Sequence, residues 1–141
     1  MDLSEFSLNI IMNKFNKSIL IVDDDLHLQK MYGFSFSKRG FDIDTAANGS
    51  EALDKIREAK FDVILLDIML PRTNGLIVLQ EIRKSNSKFA KTPVIAITNL
   101  GQSELSQEAS RLGANKVLVK NQYTPSQVVE EVCGILGRLV A

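Results

Sequence analysis

Residues 63–75 read VILLDIMLPRTNG, and this stretch decides the fold. Four consecutive apolar residues end in an acid, Asp67, and a proline and a glycine follow soon after it. A short continuous apolar run predicts a strand that is buried on both faces, as is typical of a parallel sheet. The sequence therefore predicts a central strand that carries a carboxylate at its carboxyl end.

Similar runs recur on either side of this stretch, and helical patterns fill the intervals. Further strands are predicted at residues 19–22, 41–46, 94–97 and 117–119. The run at residues 41–46, FDIDTA, alternates between apolar and polar residues and suits a sheet edge. Caps and glycine stops predict helices from Asp25 to Arg39, from Asn48, from Asn74 to about Lys84, from Ser103 to Leu112 and from Thr124. The result is an α/β fold, (βα)5, with a doubly wound parallel sheet.

Composition limits the class of protein. The 141 residues fit one domain and leave little length for an output domain. The 17 basic and 17 acidic residues balance, so no nucleic-acid or membrane surface is indicated. No apolar run approaches the roughly 20 residues that a membrane helix needs. The first residues do not form a signal peptide, and the single cysteine, Cys133, fits a reducing compartment. We therefore expect a cytoplasmic protein.

The chain is expected to divide near residue 17. Residues 18–141 carry the repeated pattern and are predicted to form the domain, with residues 1–17 as an N-terminal extension. Leu3, Phe6 and Ile10 have helical spacing, so this extension is either an additional helix or a loose tail.

Chemically active side chains follow four of the predicted strands. Asp23 and Asp24 follow the first, Asp67 the third, Thr98 the fourth and Lys120 the fifth. In doubly wound sheets, sites form at the carboxyl ends of strands. If the first and third strands are neighbours, three carboxylates converge, and a hard cation such as Mg²⁺ relieves their repulsion. A lysine and a hydroxyl beside the metal would hold a phosphoryl group, and the central aspartate can be its nucleophile.

With these residues in place, the sequence resembles the receiver domains of two-component response regulators. The segments that carry the resemblance are ILIVDDD, VILLDIMLPRTNG, VIAIT and LGANKVLVK. They lie within a match from residue 18 to about residue 140. The resemblance implies a flavodoxin-like sheet with strand order 2-1-3-4-5.

The resemblance also implies a role for each acidic residue. Asp67 would be the phosphoacceptor and a metal ligand. Asp24 would bind Mg²⁺ directly, Asp23 would act mainly through a bound water, and the backbone carbonyl of Met69 would supply a further ligand. Such a domain is not an enzyme beyond its own phosphoryl uptake and autodephosphorylation.

The remaining implied roles concern the phosphoryl group and the partners. Lys120 would pair with the phosphoryl oxygens, and Thr98 would move to hydrogen-bond them. The phosphodonor would be a histidine kinase or a histidine phosphotransfer protein. A downstream protein would bind the face formed by the fourth helix, the fifth strand and the fifth helix, and a homodimer is left open.

Three residues differ from the usual receiver pattern, and a fourth, Met69, stands at a position that affects hydrolysis of the phosphoryl group in the family. Val117 stands where an aromatic residue is common, and Asn121 stands where a proline usually follows the lysine. Met69 and Asn99 together suggest the hypothesis of a slowly decaying phosphoryl group. The apolar side chain of Met69 cannot orient an attacking water, and Asn99, which stands where a small residue is common, would narrow access to the phosphoryl group. A degenerate receiver that binds partners without phosphorylation therefore stays as the alternative. An aspartate phosphatase fits less well, because Leu26 breaks its first-strand signature.

Overall fold

The computed structural model describes residues 16–72, 74–84, 86–99 and 104–140. Within these ranges five strands alternate with five α-helices, and a short 3-10 helix follows the last strand. The elements are β1 (Ser18–Val22), α1 (Leu26–Lys38), β2 (Asp42–Ala46), α2 (Gly49–Glu58), β3 (Val63–Asp67), α3 (Gly75–Ile82), β4 (Val94–Thr98), α4 (Glu104–Arg111), β5 (Lys116–Val119), the 3-10 helix (Lys120–Gln122) and α5 (Pro125–Val140).

The five strands form one parallel sheet in the order β2-β1-β3-β4-β5. The predicted fold class is confirmed, and so is the prediction that residues 41–46 supply an edge strand. Val22, the last residue of β1, lies opposite Leu66 of β3. Asp23, which follows β1, is therefore a neighbour of Asp67, the last residue of β3.

Two apolar layers cover the two faces of the sheet. Alternate strand residues face opposite layers: Ile19 packs with α1 and α5, whereas Leu20 packs with α2 and α3. Both layers exclude water, which explains the continuous apolar runs of the interior strands β1, β3 and β4. Their burial is the main stabilising contribution to the domain.

The predicted caps at the starts of α1, α2 and α5 are confirmed, whereas the helix start predicted at Ser103 lies outside the described residues. Asp25 accepts the N–H of Leu28 and starts α1, and Asn48 accepts the N–H of Glu51 at the start of α2. At α5, Thr124 Oγ1 accepts the N–H of Gln127, and Gln127 Oε1 accepts the N–H of Thr124. These exchanges satisfy N–H groups that a helix leaves unpaired at its start.

The fifth strand ends where the sequence predicted. Its last residue, Val119, lies opposite the last residue of β4, Thr98. Lys120 begins the 3-10 helix that follows, and its side chain reaches the carboxyl end of the sheet.

The boundary near residue 17 is only partly described. The carbonyl of Lys17 accepts the N–H of Asp42 at 2.9 Å, which holds this residue against the sheet edge. Residues 1–15 lie outside the described part of the chain, so the helix-or-tail alternative and the division into two segments stay predictions. No helix in the described ranges is long and apolar enough to cross a bilayer.

Candidate functional site

Three carboxylates meet at the carboxyl end of the sheet. Oxygen atoms of Asp23, Asp24 and Asp67 all lie within 4.8 Å of one another. Asp23 is 1% exposed and Asp67 is 3% exposed, whereas Asp24 faces solvent. The convergence that the sequence predicted follows from the pairing of β1 with β3.

Asp67 is the last residue of β3, and both of its carboxylate oxygens are engaged. Oδ1 accepts the backbone N–H of Met69 at 2.8 Å, and Oδ2 accepts a hydrogen bond from Lys120 Nζ at 2.8 Å. The two contacts fix the orientation of the carboxylate. A carboxylate oxygen that is held in a fixed orientation at the floor of an acidic pocket is suited to nucleophilic attack.

Asp23 is held beneath the pocket by its own turn. Its Oδ1 accepts the N–H of Asp25 at 2.9 Å. Its Oδ2 is buried and accepts no hydrogen bond from the described residues, although Lys120 Nζ lies 3.1 Å away as an ion pair. A buried carboxylate oxygen with spare accepting capacity is costly unless another cation or a water completes its surroundings.

Lys120 joins the two buried acids. Its side chain is 12% exposed and pairs with Asp67 and Asp23. Burial by itself lowers the pKa of Lys120, but the hydrogen bond to Asp67 and the charges of Asp67 and Asp23 outweigh it, so the pKa lies above its ordinary value. The ammonium is therefore a permanent positive charge at neutral pH.

Electrostatic strain remains in the cluster. Burial raises the pKa of the Asp23 carboxyl, and the charge of Asp67 adds to this effect, against the lowering by the Asp25 N–H and by Lys120. Burial also raises the pKa of Tyr32 to about 12, and this phenol feels the charges of Lys120 and both buried acids. Three carboxylates facing one ammonium leave an excess of negative charge in a poorly solvated pocket.

The donor set fits Mg²⁺. It consists of oxygens alone, which hard cations prefer, and the spare oxygen of Asp23 lies within the pocket. A divalent cation would offset the excess negative charge described above. Asp23, Asp24 and Asp67 are the residues that such an ion would meet.

The start of α3 packs directly against the backbone of Asp67. A β-carbon on Gly75 would lie 2.4 Å from the Asp67 carbonyl oxygen and 2.5 Å from the Ile68 Cα, so only glycine fits there. The N–H of Gly75 donates to the Ile68 carbonyl at 3.2 Å, and Asn74 caps the helix by accepting the N–H of Leu76. The glycine of the quoted motif thus supports the site through close packing.

Three other residues singled out in the sequence lie at or beside the carboxyl ends of β3 and β4. Thr98 is fully buried at the end of β4, next to β3. Met69 contacts Asp67 through its N–H, and its side chain is 45% exposed. Asn99 is exposed, and residues 100–103 after it lie outside the described ranges. The roles of Thr98 and of the Met69 carbonyl therefore stay predictions.

Sequence reasoning missed Gln29. Its buried amide donates to the carbonyls of Asp23 and Ala46, each at 3.1 Å, and so ties the ends of β1 and β2 to α1. A glutamine in an amphipathic helix looks like an ordinary solvent-facing residue. No signal in a single sequence distinguishes it, because its partners are backbone atoms of other elements.

Comparisons with known proteins agree with this geometry. A family model described as the response regulator receiver domain matches residues 19–132. The chemotaxis protein CheY of Thermotoga maritima is 35% identical over 115 residues, which are 81% of this chain and 92% of that protein. The transcriptional regulatory protein ResD of Bacillus subtilis is 34% identical over 128 residues, or 90% of this chain and 51% of that protein. The chain spans about half the length of such transcriptional regulators.

Solved structures show the same fold. The chemotaxis response regulator CheY4 of Vibrio cholerae matches with a TM-score of 0.76 and 30% identity, over 85% of this chain and 98% of that one. A CheY-like receiver domain protein from Methanospirillum hungatei matches with a TM-score of 0.78 and 28% identity, over 86% of this chain and 94% of that one.

Proposed function

The chain belongs to the response regulator receiver domain family, and we propose that it is a signalling switch whose phosphoacceptor is Asp67. The observation that carries this proposal is the oriented carboxylate of Asp67, which lies among two further acids and a buried lysine at the carboxyl end of the sheet. Among receiver activities, acceptance of a phosphoryl group is the one that this arrangement suits best.

The proposed reaction is a phosphoryl transfer from a phosphohistidine. A carboxylate oxygen of Asp67 attacks the phosphorus, the new O–P bond forms, and the N–P bond breaks with its electron pair going to the imidazole nitrogen. The product is an acyl phosphate on Asp67. We propose a histidine kinase or a histidine phosphotransfer protein as the donor, because either would carry the phosphoryl group on its own histidine.

Asp23, Asp24 and Asp67 would hold a Mg²⁺ ion, together with the backbone carbonyl of Met69. When bound, the ion would neutralise charge on the phosphoryl oxygens during transfer. Asp24 faces solvent and would bind directly, whereas Asp23 would act mainly through a water. The Oδ2 atom of Asp23 supports a bound water, because this buried oxygen accepts no hydrogen bond from the described residues.

Lys120 and Thr98 would respond to the new group. Phosphorylation adds about −1.5 to −2 charge. Lys120 already donates to the Oδ2 atom of Asp67, so its ammonium needs only a small movement to pair with phosphoryl oxygens. Thr98 would then hydrogen-bond the phosphoryl group, and the surface of α4, β5 and α5 would change for a downstream partner.

We further propose that the acyl phosphate decays slowly. The exposed Met69 side chain is apolar and cannot orient an attacking water, and the Asn99 amide would narrow access to the phosphorus. Release of inorganic phosphate from the phosphorylated chain is therefore expected over minutes or longer. Met69→Glu should accelerate it, and decay of the unmodified chain within seconds would contradict this part of the proposal.

Phosphoryl uptake is tested with acetyl phosphate and intact mass spectrometry. The full chain is incubated with and without Mg²⁺ beside two matched variants, Asp67→Asn and Asp25→Asn. Asp25 caps α1 outside the carboxylate cluster, and asparagine caps helices equally well, so this variant controls for loss of one acid.

One added phosphoryl group is expected in the unmodified chain and in Asp25→Asn, only with Mg²⁺, and none in Asp67→Asn. Uptake that survives in Asp67→Asn would refute the assignment of the phosphoacceptor. Absence of uptake from both acetyl phosphate and a phosphohistidine donor would favour the degenerate binding module.

A further inference from the structure

A second cavity lies at the opposite end of the sheet from the carboxylates. Its volume is about 330 Å³, and it opens between the end of α2, the approach to β3 and the approach to β4. Ile64 in its wall is the second residue of β3, whereas Asp67 ends that strand. This cavity is therefore separate from the site described above.

The cavity has an apolar floor and a basic rim. Ile56, Phe61 and Ile64 are buried in its floor, and Phe89 closes one side. The rim carries three exposed cations, Arg57, Lys60 and Lys88, and a single acid, Glu58. Such a combination suits an occupant with apolar side chains and a few carboxylates.

The three cations of the rim are able to bind the acidic groups of an occupant. Within the described ranges, neither Lys60 nor Lys88 forms an ion pair, and Arg57 contacts Asp54 only in an exposed pair at 3.7 Å. Exposed pairs of this kind contribute little, so the guanidinium can exchange its partner at small cost.

The N-terminal segment of the chain enters the domain beside this cavity. The N–H of Ser18 donates to Asp62 Oδ2 at 2.8 Å, and Ser18 Oγ donates to the Lys60 carbonyl at 3.3 Å. Lys60 and Phe61 line the cavity, so the first residue of β1 is fixed next to its rim. Asn16 and Lys17 alone separate this residue from residues 1–15, which lie outside the described ranges.

The composition of that segment complements the cavity. It reads MDLSEFSLNIIMNKF and combines large apolar residues with two acids, Asp2 and Glu5, and one lysine, Lys14. We propose that residues 1–15 bind this cavity as an intramolecular ligand, with apolar side chains on its floor and the acids against its basic rim. The extension would thus be part of the domain surface at the end of the sheet that lies away from Asp67.

Reach and concentration both favour this occupant. Fifteen residues span about 22 Å as a helix and about 50 Å when extended, and the rim is adjacent to the entry point. A short linker gives an effective concentration of about 1 mM or more. A cavity of a few hundred Å³ is also at the small end for ligand sites, so it suits a few side chains.

A spin label tests the proposal in the full chain. Ser4→Cys is labelled with a nitroxide in a Cys133→Ala background, and amide signals are compared between the oxidised and reduced label. We expect the signals of Lys60, Phe61 and Phe89 to lose more than half of their intensity. The signal of Met69, which lies beyond the other end of β3, should lose clearly less of its intensity.

Charge reversal supplies the matched controls. Lys60→Glu should restore most of the lost intensity, and Glu5→Lys added to it should bring the loss back. Lys30→Glu, an equal change on the exposed face of α1, should alter nothing. Weak broadening that is spread evenly over the domain would overturn the proposal. A loss of signal that comes from the label of a neighbouring copy, seen when labelled and unlabelled chains are mixed, would overturn it as well.

Discussion

Gly75→Ala is expected to destabilise the domain and to impair phosphoryl uptake together. The new β-carbon would lie 2.4 Å from the Asp67 carbonyl oxygen and 2.5 Å from the Ile68 Cα, and both are backbone atoms that no rotamer change can move. Moving that oxygen from 2.4 Å to 3.4 Å, where ordinary contact begins, requires a shift of about 1 Å. The shift falls on the residue that carries the proposed nucleophile.

The magnitude follows from this displacement. Overpacking in a dense interior lowers the free energy of unfolding by about 1–3 kcal/mol. Because the new β-carbon of Gly75→Ala meets rigid backbone on two sides, we expect a loss of about 3 kcal/mol, at the upper end of this range. Small domains lose about 1–3 kcal/mol of unfolding free energy per molar urea, so the unfolding midpoint should fall by about 1–3 M. A misplacement of about 1 Å can reduce a reaction rate about 100-fold, which is the expected loss in phosphoryl uptake.

Gly137→Ala is the matched control. A β-carbon there meets nothing within 4 Å, and the position lies inside α5. The helix preference of alanine should therefore raise the unfolding free energy by up to about 1 kcal/mol and leave uptake unchanged. Urea unfolding followed by circular dichroism and uptake followed by intact mass measure both effects. Equal midpoints for the two variants would refute the close-packing argument.

Three further outcomes are expected. Lys120→Met removes the cation that pairs with two buried acids, so the free energy of unfolding should fall by about 3–5 kcal/mol. Because Mg²⁺ would then be the cation that offsets these acids, it should raise the thermal midpoint of this variant more than that of the unmodified chain. Arg83→Met strips hydrogen bonds from the carbonyls of Thr92 and Gly113 and should cost about 3 kcal/mol in urea unfolding, with Arg83→Lys restoring little of it. Burial raises the pKa of the Cys133 thiol, so little of the reactive thiolate is present in the folded chain at pH 8. Alkylation, measured by intact mass, should therefore be slow at that pH and should accelerate only as the pH rises past the ordinary pKa of a thiol.

The fold followed from the sequence because its signals are local or repeat along the chain. Runs such as residues 63–66 must be apolar throughout, since the sheet is covered on both faces, and the alternating residues 41–46 fall at the edge. Capping residues such as Asp25 and Thr124 act on N–H groups only three positions away. Strand order is a different matter, because the periodicity alone allowed several topologies and the resemblance selected one.

The convergence of the acids was also predictable, but the contacts that hold them were not. Strand ends bring Asp23 and Asp67 together in any sheet that pairs β1 with β3. The double pairing of Lys120 depends on the turn that the chain takes after Val119, which apolar patterns do not encode. The reason for Gly75 likewise required the distance to another element.

Long-range polar contacts were the least visible part of the structure. Arg83 donates to the carbonyls of Ala90, Thr92 and Gly113 and so ties α3 to the segments before β4 and β5. In the sequence it is one of many basic residues near a helix end, where a solvated charge is the usual case. Backbone carbonyls carry no residue identity, so a pattern of side chains cannot predict which arginine they will bind.

The central claim is that Asp67 carries the phosphoryl group, and the position of the acyl phosphate tests it most directly. The chain would be phosphorylated with acetyl phosphate and Mg²⁺, reduced with borohydride, which converts an aspartyl phosphate to homoserine, and sequenced by peptide mass spectrometry. Homoserine is expected at position 67, with Asp23 and Asp24 unmodified. Homoserine at either of those two positions, with Asp67 intact, would contradict it.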